Sequence, residues 1–161
     1  MTRDQMLAHL YAAHAEALAA MDAGRHPFGA VLVAPDGETI LLRQGNRGSV
    51  CHAETELARQ AARQFDPQYL WHCALVTTFE PCAMCAGTQY WAHIGTLVYG
   101  VAEAELRACT GDHAENPTMD LPCRDVFAKG QKPITVQGPF EEVRERFLAP
   151  HRSFWSATPH A

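Results

Sequence analysis

Residues 79–87 read FEPCAMCAG and residues 51–60 read CHAETELARQ, and the fold turns on whether these two stretches build one site. Taken alone, the Cys82-x-x-Cys85 pair behind Pro81 fits a redox dithiol, half of a structural zinc knot, or the thiolate side of a catalytic metal site. On a helix, cysteines at i and i+3 share a face, so both sulfurs can reach one ion. At a helix N-terminus they also feel the positive end of the dipole, which favours thiolate. Two thiolates and an imidazole suit zinc, and His52 supplies the imidazole. Three protein ligands leave the fourth tetrahedral position to water, the arrangement of a catalytic centre. Glu54, two residues past His52, does not share its face along a regular helix. In the first turn it can face that water and move protons. A redox pair needs no His-x-Glu partner, and a closed structural site wants a fourth ligand, for which Cys51 is the nearest spare thiol.

The chain has 161 residues, 47% of them hydrophobic and 19% charged, which fits one globular domain spanning 1–161. The formal net charge of −5 argues against a nucleic-acid partner, which asks for a basic patch. No apolar run reaches the roughly 18 residues of a membrane span, and MTRDQMLAHL lacks the apolar core of a signal peptide. The expectation is a cytoplasmic protein. In a reducing compartment the six cysteines read as metal ligands plus buried single thiols, and only Cys82 and Cys85 have ligand spacing.

Apolar residues recur at helical spacing from Asp4 to Ala23, and two apolar runs flank an Asp36-Gly37 turn as a hairpin. AETELARQAARQF is built from strong helix formers and stops before Asp66-Pro67. CALVTTF and TLVYGV read as buried strands on either side of a helix over 82–92. KPITVQG reads as a last short strand before a closing helix in FEEVRERFLAPHRSFW. About thirty residues, 101–132, join the last two strands, enough for a parallel crossover with a helix in DLPCRDVFAKG. The order predicts an α/β fold of three layers, with a central mixed five-stranded sheet between helices. His26 and His113 fall in loops that can border a pocket, and the remaining histidines read as surface or packed imidazoles.

CHAE and EPCAMC resemble, without a gap, the H-x-E…P-C-x-x-C signature of the zinc-dependent cytidine/deoxycytidylate deaminase-like superfamily. The resemblance runs from about HPFGAVLV through LVYG and implies hydrolytic deamination of an amino-substituted heterocycle. It implies zinc on His52, Cys82 and Cys85, attack by zinc-bound water on the amino-bearing carbon, and Glu54 as proton shuttle. It implies substrate orientation by the backbone N–H near Ala53 and by Asn46. PFGAV and QYWAHI are more similar to the guanine deaminase branch. There, Phe28 and Trp91 would stack on the purine, and an acidic residue after the fourth strand, Asp112 first, would accept from its ring N–H groups. The implied reaction is guanine, or a related aminopurine, to its oxo product plus ammonia. Cytosine or cytidine deamination, tRNA adenosine deamination and a non-catalytic zinc domain stand as alternatives. Family precedent implies a homodimer acting on a small nucleobase or nucleoside, with HRSFW closing the pocket of its own or a neighbouring subunit.

Overall fold

The computed structural model describes residues 1–111, 113–114 and 116–157. The elements are α1 (Arg3–Asp22), β1 (Gly29–Val33), β2 (Ile40–Gly45), α2 (Ala53–Gln64), α3 (Pro67–Trp71) and β3 (Ala74–Phe79). They continue with α4 (Ala83–Trp91), β4 (Thr96–Val101), α5 (Glu103–Thr110), α6 (Cys123–Ala128), β5 (Thr135–Gln137) and α7 (Glu141–Ala157). The sheet order is β2-β1-β3-β4-β5. β1 runs antiparallel to β2 and β3, whereas β4 runs parallel to β3 and β5, which is the mixed five-stranded sheet that the sequence predicts.

β1, β3 and β4 are buried on both faces, and the alternation of their side chains sorts two apolar layers. Ala30, Leu32, Leu75, Leu97 and Tyr99 pack against α2, α3, α4 and α6. Val31, Val33, Val76, Val98 and Val101 pack against α1, α5 and α7. Gly29 lets α1 lie directly on the sheet, since a Cβ there would sit 2.2 Å from the Ala13 carbonyl oxygen. Two helices go beyond the elements read from sequence. Asp66 caps the one-turn α3 by accepting from the Tyr69 N–H at 2.9 Å, with Pro67 at its start. The crossover contains α5 as well as the expected helix near Cys123.

Two neutral histidines are built into the α1–α7 layer. His14 stacks on Phe147 with ring centroids 4.5 Å apart, and burial, helped by Arg146, pushes its pKa down to about 4. His151 is enclosed, with Nε2–H donating to the Pro27 carbonyl at 2.9 Å and Nδ1 accepting from Trp155 Nε1–H at 3.1 Å. Burial pushes it down to about 3. Both folded values lie below the ordinary imidazole pKa of about 6.5, so under that pH the unfolded chain binds more protons. Stability is therefore fully present above pH ~6.5 and falls as pH drops towards 4. In chelator-containing buffer the urea midpoint is expected to fall between pH 7 and pH 5, and His14→Gln to shrink that fall. A midpoint independent of pH over this range contradicts the role assigned to these imidazoles.

Candidate metal centre and adjoining cleft

Two helix starts carry the donors. His52 is the N-cap of α2 and Cys82 the N-cap of α4, both with extended backbone, and Cys85 sits one turn into α4. Because the caps are not helical, His52 and Glu54 escape the regular two-residue rotation that would point them apart. α2 and α4 pack side by side on one face of the sheet, which brings the two N-termini together. The donor atoms form a triangle. Nδ1 of His52 is 3.6 Å from Cys82 Sγ and 3.5 Å from Cys85 Sγ, and the sulfurs are 3.7 Å apart.

Zinc bonds of about 2.3 Å to sulfur and about 2.0–2.1 Å to nitrogen, at tetrahedral angles, give edges of about 3.8 Å and about 3.5 Å. The triangle fits. Among the described residues no fourth His, Cys, Asp or Glu joins this group. The Cys51 backbone is tied into the preceding loop, donating to Gly48 and accepting from Arg47, and its thiol is not part of the donor group.

Hydrogen bonds distribute the protons. Donation from the Cys85 thiol, together with the bond to His52, holds Cys82 well below the usual thiol range. Cys85 is pushed up by that donation and by burial, and Thr55 Oγ1 donates to its sulfur at 3.3 Å. The bond to Cys82 raises His52.

Glu54 is buried beside the triad. Thr77 Oγ1 donates to its Oε1 at 2.6 Å, while Oε2 lies 3.5 Å from Cys85 Sγ. Burial raises its carboxyl pKa against the pull of the Thr77 bond. A carboxyl poised in this way can both take and return a proton.

The cleft over the triad has an inner chamber of about 30 Å³, walled by Phe28, Phe79 and Leu106 and reaching Glu54. It opens into an outer chamber of about 270 Å³ bordered by His26, Ser49, Met84 and Met119. The Phe28 ring is fixed edge-on to Phe79 at 5.7 Å and to His151 at 4.9 Å. HRSFW thus supports the cleft wall from within its own chain, with His151 and Trp155 buried behind it.

The other residues expected at the site divide. Ala53 is fully buried at the first position of α2. Asn46 is 2% exposed, its backbone N–H donating to the Phe28 carbonyl at 2.9 Å, and its Oδ1 has no partner among the described residues. It does not line either chamber. Trp91 is not brought to the cleft of this chain. It ends α4 with 76% of its surface exposed and the Lys132 ammonium 5.4 Å from its ring. The end of α4 points away from the triad and carries the indole outward. Asp112 lies outside the described residues. Of the two loop histidines, His26 borders the outer chamber, whereas His113 is buried against Trp155.

Sequence reasoning missed Glu80, Glu103 and Asn116. Glu80 accepts from the Glu103 N–H at 3.2 Å and from the Cys123 N–H at 3.0 Å, pinning the start of both α5 and α6. Glu103 borders both chambers, and burial, then the charges of Cys82, Glu54 and Glu80, push its carboxyl up to about 8. A cation on the triad would offset those charges. The available signal was positional: Glu103 opens the helix after a parallel strand, where open α/β sheets bind ligands.

With this geometry described, the chain can be set beside known proteins. The family of the cytidine and deoxycytidylate deaminase zinc-binding region matches residues 2–101. A probable cytosine deaminase of Schizosaccharomyces pombe is 33% identical over 156 residues, covering 92% of this chain and 91% of the relative. A tRNA-specific adenosine deaminase of Bacillus subtilis is 33% identical over 115 residues, covering 69% of each. A solved guanine deaminase from Nitrosomonas europaea superposes with a TM-score of 0.74 over 92% of this chain and 84% of its own, at 24% identity, and so shares the fold.

Zinc binding requires both sulfurs as thiolates, so uptake must expel the proton held by Cys85. Calorimetry of zinc binding at pH 7 in buffers of different ionisation enthalpy is expected to show proton release. Cys85→Ser should lower both the release and the affinity. Tight zinc uptake with no proton release contradicts the triad as the binding site.

Proposed function

The chain belongs to the cytidine and deoxycytidylate deaminase family, and from that premise we propose that it hydrolytically deaminates a free nucleobase or nucleoside, guanine or a related aminopurine first. The observation that carries this reading is the Glu54 carboxyl held by Thr77 beside three convergent donors at the floor of a cleft. Zinc on His52, Cys82 and Cys85 would supply Lewis acidity and a water activated near neutral pH.

The chain's own residues do the rest. Glu54 accepts a proton from the attacking water and delivers it to the ring nitrogen beside the amino-bearing carbon. Glu54 then takes the proton of the new hydroxyl and passes it to the amine as the C–N bond breaks, so ammonia leaves and a carbonyl remains on the ring. The half-buried Phe28 ring, held edge-on by Phe79, offers one face of a planar base a stacking surface. The Ala53 N–H at the start of α2 and the unpartnered Asn46 Oδ1 are fixed polar groups for substrate edges. An outer chamber of about 270 Å³ suits a small heterocycle rather than a folded nucleic acid, and the net charge of −5 agrees. The whole chain then acts as one catalytic domain on a small molecule, as a homodimer in line with the family.

Cytosine is the second reading, favoured by the Schizosaccharomyces pombe relative that matches nearly end to end. Ammonia release from the zinc-loaded protein, measured over guanine, guanosine, adenine, cytosine, cytidine and pterin, tests both. Guanine is expected to turn over, and Glu54→Gln to keep zinc while losing at least about 100-fold in rate. Turnover confined to cytosine or cytidine moves the substrate and keeps the mechanism; full activity in Glu54→Gln overturns the mechanism.

A further inference from the structure

One buried side chain links the donor triad to the opposite wall of the cleft. Glu80 stands directly before Pro81 and Cys82 and is 7% exposed. Its backbone N–H donates to the Val101 carbonyl at 2.8 Å, which carries the pairing with β4 past the end of β3. Its carboxylate reaches two further backbones: Oε2 accepts from the Glu103 N–H at 3.2 Å and Oε1 from the Cys123 N–H at 3.0 Å. These are the first N–H groups of α5 and α6, donors that no carbonyl of their own helix can meet.

The crossover over 103–123 therefore starts and ends on one carboxylate. Between its ends it is tied to itself. Arg107 pairs with Asp120 at 3.3 Å, and Asn116 Nδ2 donates to Thr118 Oγ1 at 3.0 Å and to Thr110 Oγ1 at 3.5 Å. The same stretch supplies a wall of the cleft, with Glu103 and Asn116 at both chambers and Pro117, Thr118 and Met119 at the outer one. The facing wall, with His52, Cys82 and Met84, belongs to the starts of α2 and α4. A cavity of about 40 Å³ between Glu80, Glu103 and Leu121 shows that packing alone does not lock the crossover in place.

We propose that Glu80 is a positioning residue: by holding both ends of the crossover it sets how far the 116–119 wall stands from the metal, and so the width offered to the substrate ring. Both of its oxygens are engaged by backbone, so it acts through the wall and not on the reacting atoms. A wall that grips substrate and transition state alike moves KM and leaves kcat in place. That kinetic consequence rests on the deaminase reading above, whereas the position of the wall does not.

Glu80→Gln keeps the side chain's size but turns one acceptor into a donor that faces an N–H. In the zinc-loaded full chain it is expected to raise KM at least about 10-fold, for whichever of guanine or cytosine the wild type turns over, with kcat within about 2-fold and zinc content unchanged. Arg107→Ala, which removes an exposed ion pair, should leave KM unmoved. Loss of zinc or of kcat at unchanged KM, or an equal KM shift in Arg107→Ala, overturns the assignment. The wall itself is read without turnover. With cobalt(II) loaded in place of zinc and the methionine methyls isotope-labelled, Glu80→Gln is expected to weaken the paramagnetic broadening of Met119 and to leave that of Met84. A Met119 signal that does not change overturns the assignment. In the wild type, the Glu103 and Cys123 amides should exchange at least about 100-fold more slowly than those of Ala104 and Arg124. Equal exchange at all four overturns the anchor with no variant needed. If no base turns over, the deaminase reading fails, and the cobalt and exchange measurements still decide the role of Glu80.

Discussion

Three donor atoms, 3.5–3.7 Å apart, have to converge from two separate helix starts, and the remainder of the architecture serves that convergence. α2 follows β2 and α4 follows β3, and both lie on the same face of the sheet. Extended N-caps at His52 and Cys82 turn the donors towards each other across the gap. The helix ends also contribute their positive dipoles, which suit thiolate and a buried carboxylate. The Ala-rich faces, with Ala53, Ala58, Ala61 and Ala86 fully buried, let the helices approach closely.

Around that centre the polar groups are held by a small set of partners. Thr77, in the middle of β3, fixes one oxygen of Glu54, and Glu80, at the end of the same strand, fixes the starts of α5 and α6. One strand therefore sets both the carboxyl beside the triad and the segment that closes the cleft. On the other side, His151 holds the Pro27 carbonyl while its ring supports Phe28 and Phe79. The closing helix acts on the cleft through that buried contact rather than by reaching into it.

The legible part of this molecule was local. Spacing and helix-start chemistry were sufficient for His52, Glu54, Cys82 and Cys85, because caps and i, i+3 relations are properties of a few adjacent residues. The Asp36-Gly37 hairpin and the continuous burial of β3 and β4 follow from the same short range. What escaped depends on how elements are placed. Glu103 and Asn116 border the cleft over the triad because the sheet sets β4 beside β3, and along the chain the one mark is that Glu103 opens the helix after a strand. Trp91 shows the converse, since residue type suggested a stacking partner while its place at the end of α4 turned it outward. α3 was hidden because Asp66-Pro67 stops one helix and starts the next within the same dipeptide.

The zinc K-edge absorption spectrum of the loaded protein tests the centre most directly. The expected first shell has two sulfurs at about 2.3 Å, one imidazole nitrogen at about 2.0–2.1 Å and one light oxygen scatterer that inhibitors displace. A shell with a third sulfur or a second imidazole, closed to exogenous ligands, contradicts an open vertex beside Glu54.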